Sequence, residues 1–334
     1  MNHSSNKKRA LILGVTGQDG SYLAELLLEK GYEVHGMVRR SATGNTRNID
    51  HLLKDKKIFG KRFFIHRGDM ADTTSLYRII GEVKPNELYN EADQDHVAWS
   101  FATPDYSYDI TGAAVGRILE IIRQVDKKIK FFQPCSSNMF GEPSEIPQKE
   151  TTPFRPKSPY ACAKILAFVL TKHYREAYGI FASTAIFYNH ESPRRNEEYV
   201  TRKITKSVAR IAAGLQDKLE LGNVNAKIDW GYAKEYMETA WKILQLSEPN
   251  DFIIASGEAH SIKEFVDESF RLLNLDPKNY LKIDKNLLRP ANTGLLIGDT
   301  SKAKKAFGFN LKVKFKELVK IMVEADLKEI KKIK

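Results

Sequence analysis

From Arg9 onward the chain alternates short apolar runs with amphipathic segments, at residues 10–15, 21–30, 33–38, 63–66, 75–83, 87–90, 115–125 and 130–134. Short runs that are apolar on both faces read as buried strands, and the amphipathic stretches as crossover helices; repeated βαβ units give a parallel, doubly wound sheet. In 21–30, Leu23, Leu26 and Leu27 fall at i, i+3 and i+4 and make one apolar stripe to lay on the sheet, and Gly31 ends the helix. The second half is less regular. Residues 182–188 and 252–255 read as further strands of the same sheet, whereas 191–225 and 260–334 read as helical excursions rich in Arg and Lys. The expected class is α/β, with residues 1–190 as one domain rejoined by 229–258. A smaller, interleaved C-terminal lobe is expected from 191–228 and 259–334. Such sheets bind ligands beyond the carboxyl ends of their strands.

With 334 residues, 42% of them hydrophobic, the chain can bury a substantial core. Lys7, Lys8 and Arg9 precede an apolar run too short for a signal segment or a membrane span, so a cytoplasmic protein with no membrane partner is expected. Cys135 and Cys162 give no disulfide framework, and no His, Cys or carboxylate cluster has metal-ligand spacing; both thiols read as small packing residues, and no metal is expected. The net charge of +11 is spread over 54–57, 127–128, 302–305 and 328–334 without a basic stripe interleaved with aromatics. That distribution reads as solvated Lys-rich faces that attract small anions, and nucleic acid is not an expected partner.

Gly14, Gly17 and Gly20 lie between the first strand and the first helix. Glycines there permit a tight turn and let the backbone reach a pyrophosphate at the helix N-terminus, the dinucleotide fingerprint of a Rossmann-type sheet. Thr16, Gln18 and Asp19 complete the turn and are assigned to the cofactor with the glycines. Arg39 and Arg40 follow the second strand, where an NAD-binding sheet often carries an acid for the ribose hydroxyls. Two guanidiniums favour a 2′-phosphate, so NADP is expected, with NAD as the alternative if both side chains face solvent or a subunit contact. Asp69 and Met70 follow the third strand, where Asp69 reads as an acceptor for the adenine amine or as a helix N-cap.

Ser136, Ser137 and Asn138 close a strand, and Tyr160 and Lys164 sit one turn apart behind Ser158 and Pro159, an N-cap and first-turn proline. The Tyr-x-x-x-Lys spacing puts both side chains on one helical face, where an ammonium can bring a phenol toward neutral pH. Ser136 is expected to hold a substrate hydroxyl and Tyr160 to take its proton. Lys164 is expected to lower the tyrosine pKa and to bind the nicotinamide ribose.

At these residues the chain resembles the extended short-chain dehydrogenases/reductases and, within them, the GDP-mannose 4,6-dehydratases. The resemblance runs through Gly14-Val-Thr-Gly-Gln-Asp-Gly20, Arg39-Arg40-Ser41, Ile146-Pro-Gln-Lys-Glu-Thr-Thr-Pro-Phe154, Ser158-Pro-Tyr160, Asn189-His-Glu-Ser-Pro-Arg-Arg195, Val200-Thr-Arg-Lys203, Leu221-Gly-Asn223, Asp229-Trp-Gly231 and Arg289-Pro290. It implies a GDP-linked sugar as substrate, with Asn189, Arg194, Lys203, Asn223 and Arg289 as its contacts. It also implies a homodimer or homotetramer, with Arg194 and Arg195 near a subunit contact or on an active-site loop.

A 4,6-dehydratase takes hydride from C4, removes the C5 proton as water leaves C6, and returns hydride to C6. The family's resemblance implies a Glu for the middle step, two residues after the catalytic Ser or Thr. Here that residue is Asn138, and an amide cannot shuttle a proton at neutral pH. Glu91, Asp93, Asp95, Ile228 and Asn292 also depart from the family pattern. Oxidation or reduction at C4 without loss of water is therefore expected. Dehydration through a carboxylate relocated to Asp93 or Asp95 is the alternative, and a non-catalytic sugar-nucleotide-binding subunit is a further one.

Overall fold

The structure, a computed structural model, describes residues 7–42, 44–287 and 294–332. Strands β1 (Arg9–Leu13), β2 (Glu33–Val38), β3 (Phe63–Arg67), β4 (Glu87–Asn90), β5 (Lys130–Ser136) and β6 (Ala182–Phe187) join a seven-stranded sheet. Two short strands, β7 (Asn189–Glu191) and β8 (Leu219–Leu221), and then β9 (Lys227–Tyr232) lie outside it; β10 (Asp251–Ile254) is its seventh member. The order is β10-β6-β5-β4-β1-β2-β3, and β1 pairs in parallel with both β2 and β4. The chain winds outward from β1 to β3 and then restarts on the other side of β1 at β4. That reversal makes the β1/β4 carboxyl ends a topological switch point, where open α/β sheets take ligands.

The helices are α1 (Gln18–Glu29), α2 (Asp50–Lys54), α3 (Thr73–Val83), α4 (Val97–Ala102), α5 (Pro104–Ser107), α6 (Ala114–Val125) and α7 (Pro159–Tyr178), followed by α8 (Val200–Ala212) and α9 (Ala233–Leu244). The expected doubly wound sheet is thus present, and its apolar strands are buried as their composition requires. Leu11, Leu76, Ile80, Leu88, Ile118 and Phe131 belong to one core cluster on the sheet. The α7 helix starts as the sequence indicates: Ser158 Oγ accepts from Ala161 N at 3.1 Å, Pro159 occupies the first turn, and Gly179 ends the helix at φ 69°.

Two compact units result. The first takes residues up to Met139, Phe154–Phe187 and Met237–Phe252; the second takes Phe140–Pro153, Tyr188–Tyr236 and the chain from Ile253 on. The segment 229–258, expected to rejoin the first unit, divides between the two. Its first part is held in the second unit because β9 pairs there with β7 and with β11 (Ala259–Ser261). Buried Asp229 fixes that arrangement by accepting from Ser256 N at 2.8 Å, Ser256 Oγ at 2.7 Å and Gly257 N at 3.0 Å. The second unit adds α10 (Ile262–Arg271), β12 (Leu281–Ile283, paired with β8), α11 (Ser301–Phe307) and α12 (Phe315–Lys331). Its own core includes Ile204, Val208, Trp230, Phe265, Phe270 and Met322.

Candidate active site

The turn from β1 into α1 is built so that side chains are excluded. Gly14 has φ +78°, and a Cβ on it would lie 2.4 Å from the Glu91 carbonyl oxygen; a Cβ on Gly20 would lie 2.4 Å from the Gly14 oxygen. Gly17 N donates to Gly14 O at 3.0 Å, and Gly17 caps α1 without any side-chain bond to the helix. This glycine cradle at the N-terminus of α1, clear of any side chain, fits the diphosphate of a dinucleotide. Gln18 is buried and donates Nε2 to Asp19 Oδ1 at 3.1 Å, while Thr16 O accepts from Asn48 Nδ2 at 3.0 Å.

Arg39 and Arg40 are exposed just past β2. Arg39 Nη1 donates to the Tyr106 hydroxyl at 2.9 Å, a contact from α5 that the sequence does not reveal. The N-cap of α3 is Asp72; Asp69 instead closes a turn, with Oδ1 accepting from Ala71 N at 3.0 Å. Met70 packs its side chain into the sheet's core cluster and presents its carbonyl oxygen to Arg117 Nη2 at 3.1 Å, so its side chain is a core residue.

Ser136, Asn138, Tyr160 and Lys164 come together where β5 meets α7. Ser136 Oγ accepts from both the backbone N and Nδ2 of Asn138, each at 3.2 Å, and is hydrogen-bonded to the Tyr160 phenol. Lys164, 3% exposed, places Nζ 2.8 Å from Pro134 O and 5.8 Å from the centre of the Tyr160 ring. Its closest ionic contact is Asp93 Oδ2, at 2.5 Å. Asp93 follows β4, the neighbour of β5, so strand order brings the two residues together.

This pairing changes the electrostatics expected from the Tyr-x-x-x-Lys spacing. Burial pushes the Tyr160 phenol up to about 12; Lys164 and the Ser136 hydrogen bond oppose the shift, and Asp93 and Asp95 add to it. The phenol of the free protein is thus not brought to neutrality: burial outweighs the lysine charge, and the Asp93 and Asp95 carboxylates add to the rise. Burial works against the Lys164 cation, yet Asp93, Tyr160 and Cys135 together outweigh it and hold the ammonium above its ordinary range. Burial also raises the Asp93 carboxyl, with Lys164 opposing. Glu91, beside Gly14, is held well above the carboxylate range by burial and then by the charge of Asp19, and its Oε1 is buried with no hydrogen-bond partner. Cys135 is buried and pushed up to about 12, an inert thiol, whereas Cys162 is exposed on α7, contrary to the packing role expected for both.

In the second unit, Asn189 is exposed at the start of β7. Arg194 is half-buried, with its backbone N bonded to Ser192 Oγ at 3.0 Å, and the Arg195 guanidinium stacks 3.6 Å from the Tyr199 ring centre. Lys203 is half-buried on α8 and has no ion-pair partner among the described residues. Asn223 is exposed and closes a turn through Oδ1 to Asn225 N at 2.9 Å. Arg289 and Asn292 lie outside the described residues.

Among the described residues no cluster of His, Cys, Asp and Glu is arranged to hold a metal ion, and no helix is long and apolar enough to cross a membrane. A family model described as GDP-mannose 4,6 dehydratase matches residues 11–322. The chain is 49% identical over 333 residues to GDP-mannose 4,6 dehydratase 1 of Arabidopsis thaliana, covering 98% of this chain and 92% of that protein. It is 47% identical over 353 residues to GDP-mannose 4,6-dehydratase of Vibrio cholerae serotype O1, covering 97% and 95%. Among solved structures, dTDP-glucose 4,6-dehydratase from Bacillus anthracis in complex with NAD superposes with a TM-score of 0.83 at 19% identity, covering 97% of this chain and 98% of that one.

Proposed function

The chain belongs to the GDP-mannose 4,6-dehydratase family of extended short-chain dehydrogenases/reductases, and on that premise we propose that it moves hydride between C4 of a GDP-linked hexose or heptose and NADP without eliminating water. The observation that carries this reading is the wiring of residue 138. Asn138 donates its amide to Ser136, while Ser136, Tyr160 and Lys164 form a connected set. Where the family's resemblance implies a Glu to remove the C5 proton, this chain offers a group that cannot exchange a proton at neutral pH.

The residues divide the remaining chemistry among themselves. Ser136 holds the C4 hydroxyl: its oxygen accepts from Asn138, and its proton, directed at the Tyr160 oxygen in the free protein, is the one it offers the substrate. Tyr160 takes the proton of that hydroxyl as the C–H bond at C4 breaks. Lys164, with two of its three N–H directions committed to Asp93 and Pro134, has one left for a ribose hydroxyl. A bound nicotinamide dinucleotide supplies the hydride acceptor. The α1 turn, Arg39 and Arg40 are assigned to its phosphates, and Asn189, Arg194, Lys203, Asn223 and Arg289 to the GDP-sugar. A homodimer or homotetramer and a cytoplasmic location belong to the same reading and rest on the family resemblance.

A relocated carboxylate is less well supported. Asp93 is committed to Lys164 at 2.5 Å, and Asp95 is exposed. An intact hydride-transfer set also gives no reason to read a mere binding subunit.

The test is to follow deuterium from C4 of GDP-mannose, and of a GDP-mannoheptose, with NADP and NAD run side by side. The label is expected in the reduced cofactor, faster with NADP than with NAD. No transfer from either sugar to either cofactor would remove the oxidoreductase reading.

A further inference from the structure

We propose that Asp93 is a positioning residue of the hydride-transfer set, whose carboxylate grips the Lys164 ammonium so that Tyr160 faces a neutral buried pair in place of a lone cation. The inference rests on the oxidoreductase reading and assigns a task to a residue that the family's resemblance gives as Ala.

The geometry is direct. Asp93 Oδ2 lies 2.5 Å from Lys164 Nζ, with side-chain exposures of 18% and 3%. Lys164 Nζ also donates to Pro134 O at 2.8 Å, so the ammonium is fixed between the ends of β4 and β5. Water does not screen a pair this deeply placed as it screens a surface pair, and a charge beside it feels the pair's sum. A lone buried ammonium would favour the phenolate strongly; an ammonium paired with a carboxylate favours it little.

The other groups around the pair do not supply a substitute cation. Asp95 after β4, Asp19 on α1, Glu91 at the end of β4 and Cys135 on β5 act on Tyr160, Lys164 or Asp93, and each is acidic. Of the segments packed on α7, β5 brings Lys130 at its opposite end from Ser136, bonded to Leu244 O at 2.6 Å, α5 brings Asp105 and Tyr106, and α4 brings only its capping His96. The turn Tyr108–Ala113 brings Tyr108 and Asp109, the latter paired with Arg117 of α6 at 2.7 Å. The remaining α6 charges near α7, Glu120 and Arg123, are paired with each other at 2.6 Å. Lys164 is thus the cation available to Tyr160, and Asp93 controls how much of its charge Tyr160 experiences.

The experiment titrates the Tyr160 phenol in the free protein by near-ultraviolet absorbance, read as the difference from Tyr160→Phe in the same background, in the wild type, Asp93→Asn and Asp93→Glu. Asp93→Ala serves as a second variant, because its small side chain asks nothing of the surroundings. Asp93→Asn and Asp93→Ala are expected to form the phenolate at a pH lower by about one unit or more, a tenfold or larger change in the ionisation constant. Asp93→Glu is expected to stay near the wild type. The pH profile of kcat for label transfer should shift in the same direction, with KM for the GDP-sugar moving less. An unchanged Tyr160 titration in folded Asp93→Asn or Asp93→Ala would overturn the proposal. The titration needs no turnover, so absent label transfer in the wild type would sink the oxidoreductase reading while leaving Asp93's effect on Tyr160 readable.

Discussion

Tyr160→Phe is expected to slow hydride transfer from C4 by about 10²–10⁴-fold at neutral pH, the usual cost of losing a general acid/base. The substitution is a narrow one. Tyr160 is 7% exposed in the first turn of α7, and phenylalanine keeps the ring while removing only the hydroxyl bonded to Ser136. NADP affinity should therefore change little, which single-turnover absorbance and equilibrium binding can separate. A loss below about tenfold would mean that another group takes the hydroxyl proton. Because burial and the Asp93 and Asp95 charges push the phenol up to about 12, the wild-type rate should still be rising with pH through the neutral range: the active phenolate becomes more abundant as pH approaches the phenol's pKa from below.

Asn138→Glu is expected to act in the opposite sense and create dehydration, raising the yield rate of a 6-deoxy-4-keto sugar by about 10²–10⁴-fold. The variant restores a carboxyl group in the middle of the turn Ser137–Met139, two residues beyond Ser136. It also reverses a hydrogen bond. Asn138 Nδ2 now donates to Ser136 Oγ, whereas a glutamate oxygen would accept from that hydroxyl. A modest fall in C4 oxidation should accompany the gain in water loss. If product mass shows no dehydration in a folded variant that still transfers hydride, residue 138 is not what withholds that step.

The sequence exposes those parts of the molecule whose constraints are local. The apolar runs define the strands, the glycines after β1 define a turn that side chains would block, and Ser158 with Pro159 marks the start of α7. Each depends on neighbours a few residues away. The parts that were not legible depend on contacts between distant elements. The chain does not reveal that Tyr106 meets Arg39, because α5 and the end of β2 are far apart in sequence. The pairing of Asp93 with Lys164 required knowing that β4 lies beside β5, and the burial of Tyr160, which sets its phenol high with Asp93 adding to the rise, is likewise a product of the assembled fold. The second unit shows the same limit: 227–232 is not an apolar run and does not read as a strand, and only its pairing with β7 and β11 makes it one and decides which unit holds it.

On the function proposed above, Asn138 leaves a hydride-transfer enzyme without its dehydration step. The most direct test is product mass together with nicotinamide absorbance after mixing the protein with NADP and GDP-mannose or a GDP-heptose. The expected product is a sugar lighter by two hydrogens, with reduced cofactor accumulating in step. A sugar lighter by one water, with no net reduced cofactor, would contradict it and return the chain to the full reaction named for its relatives.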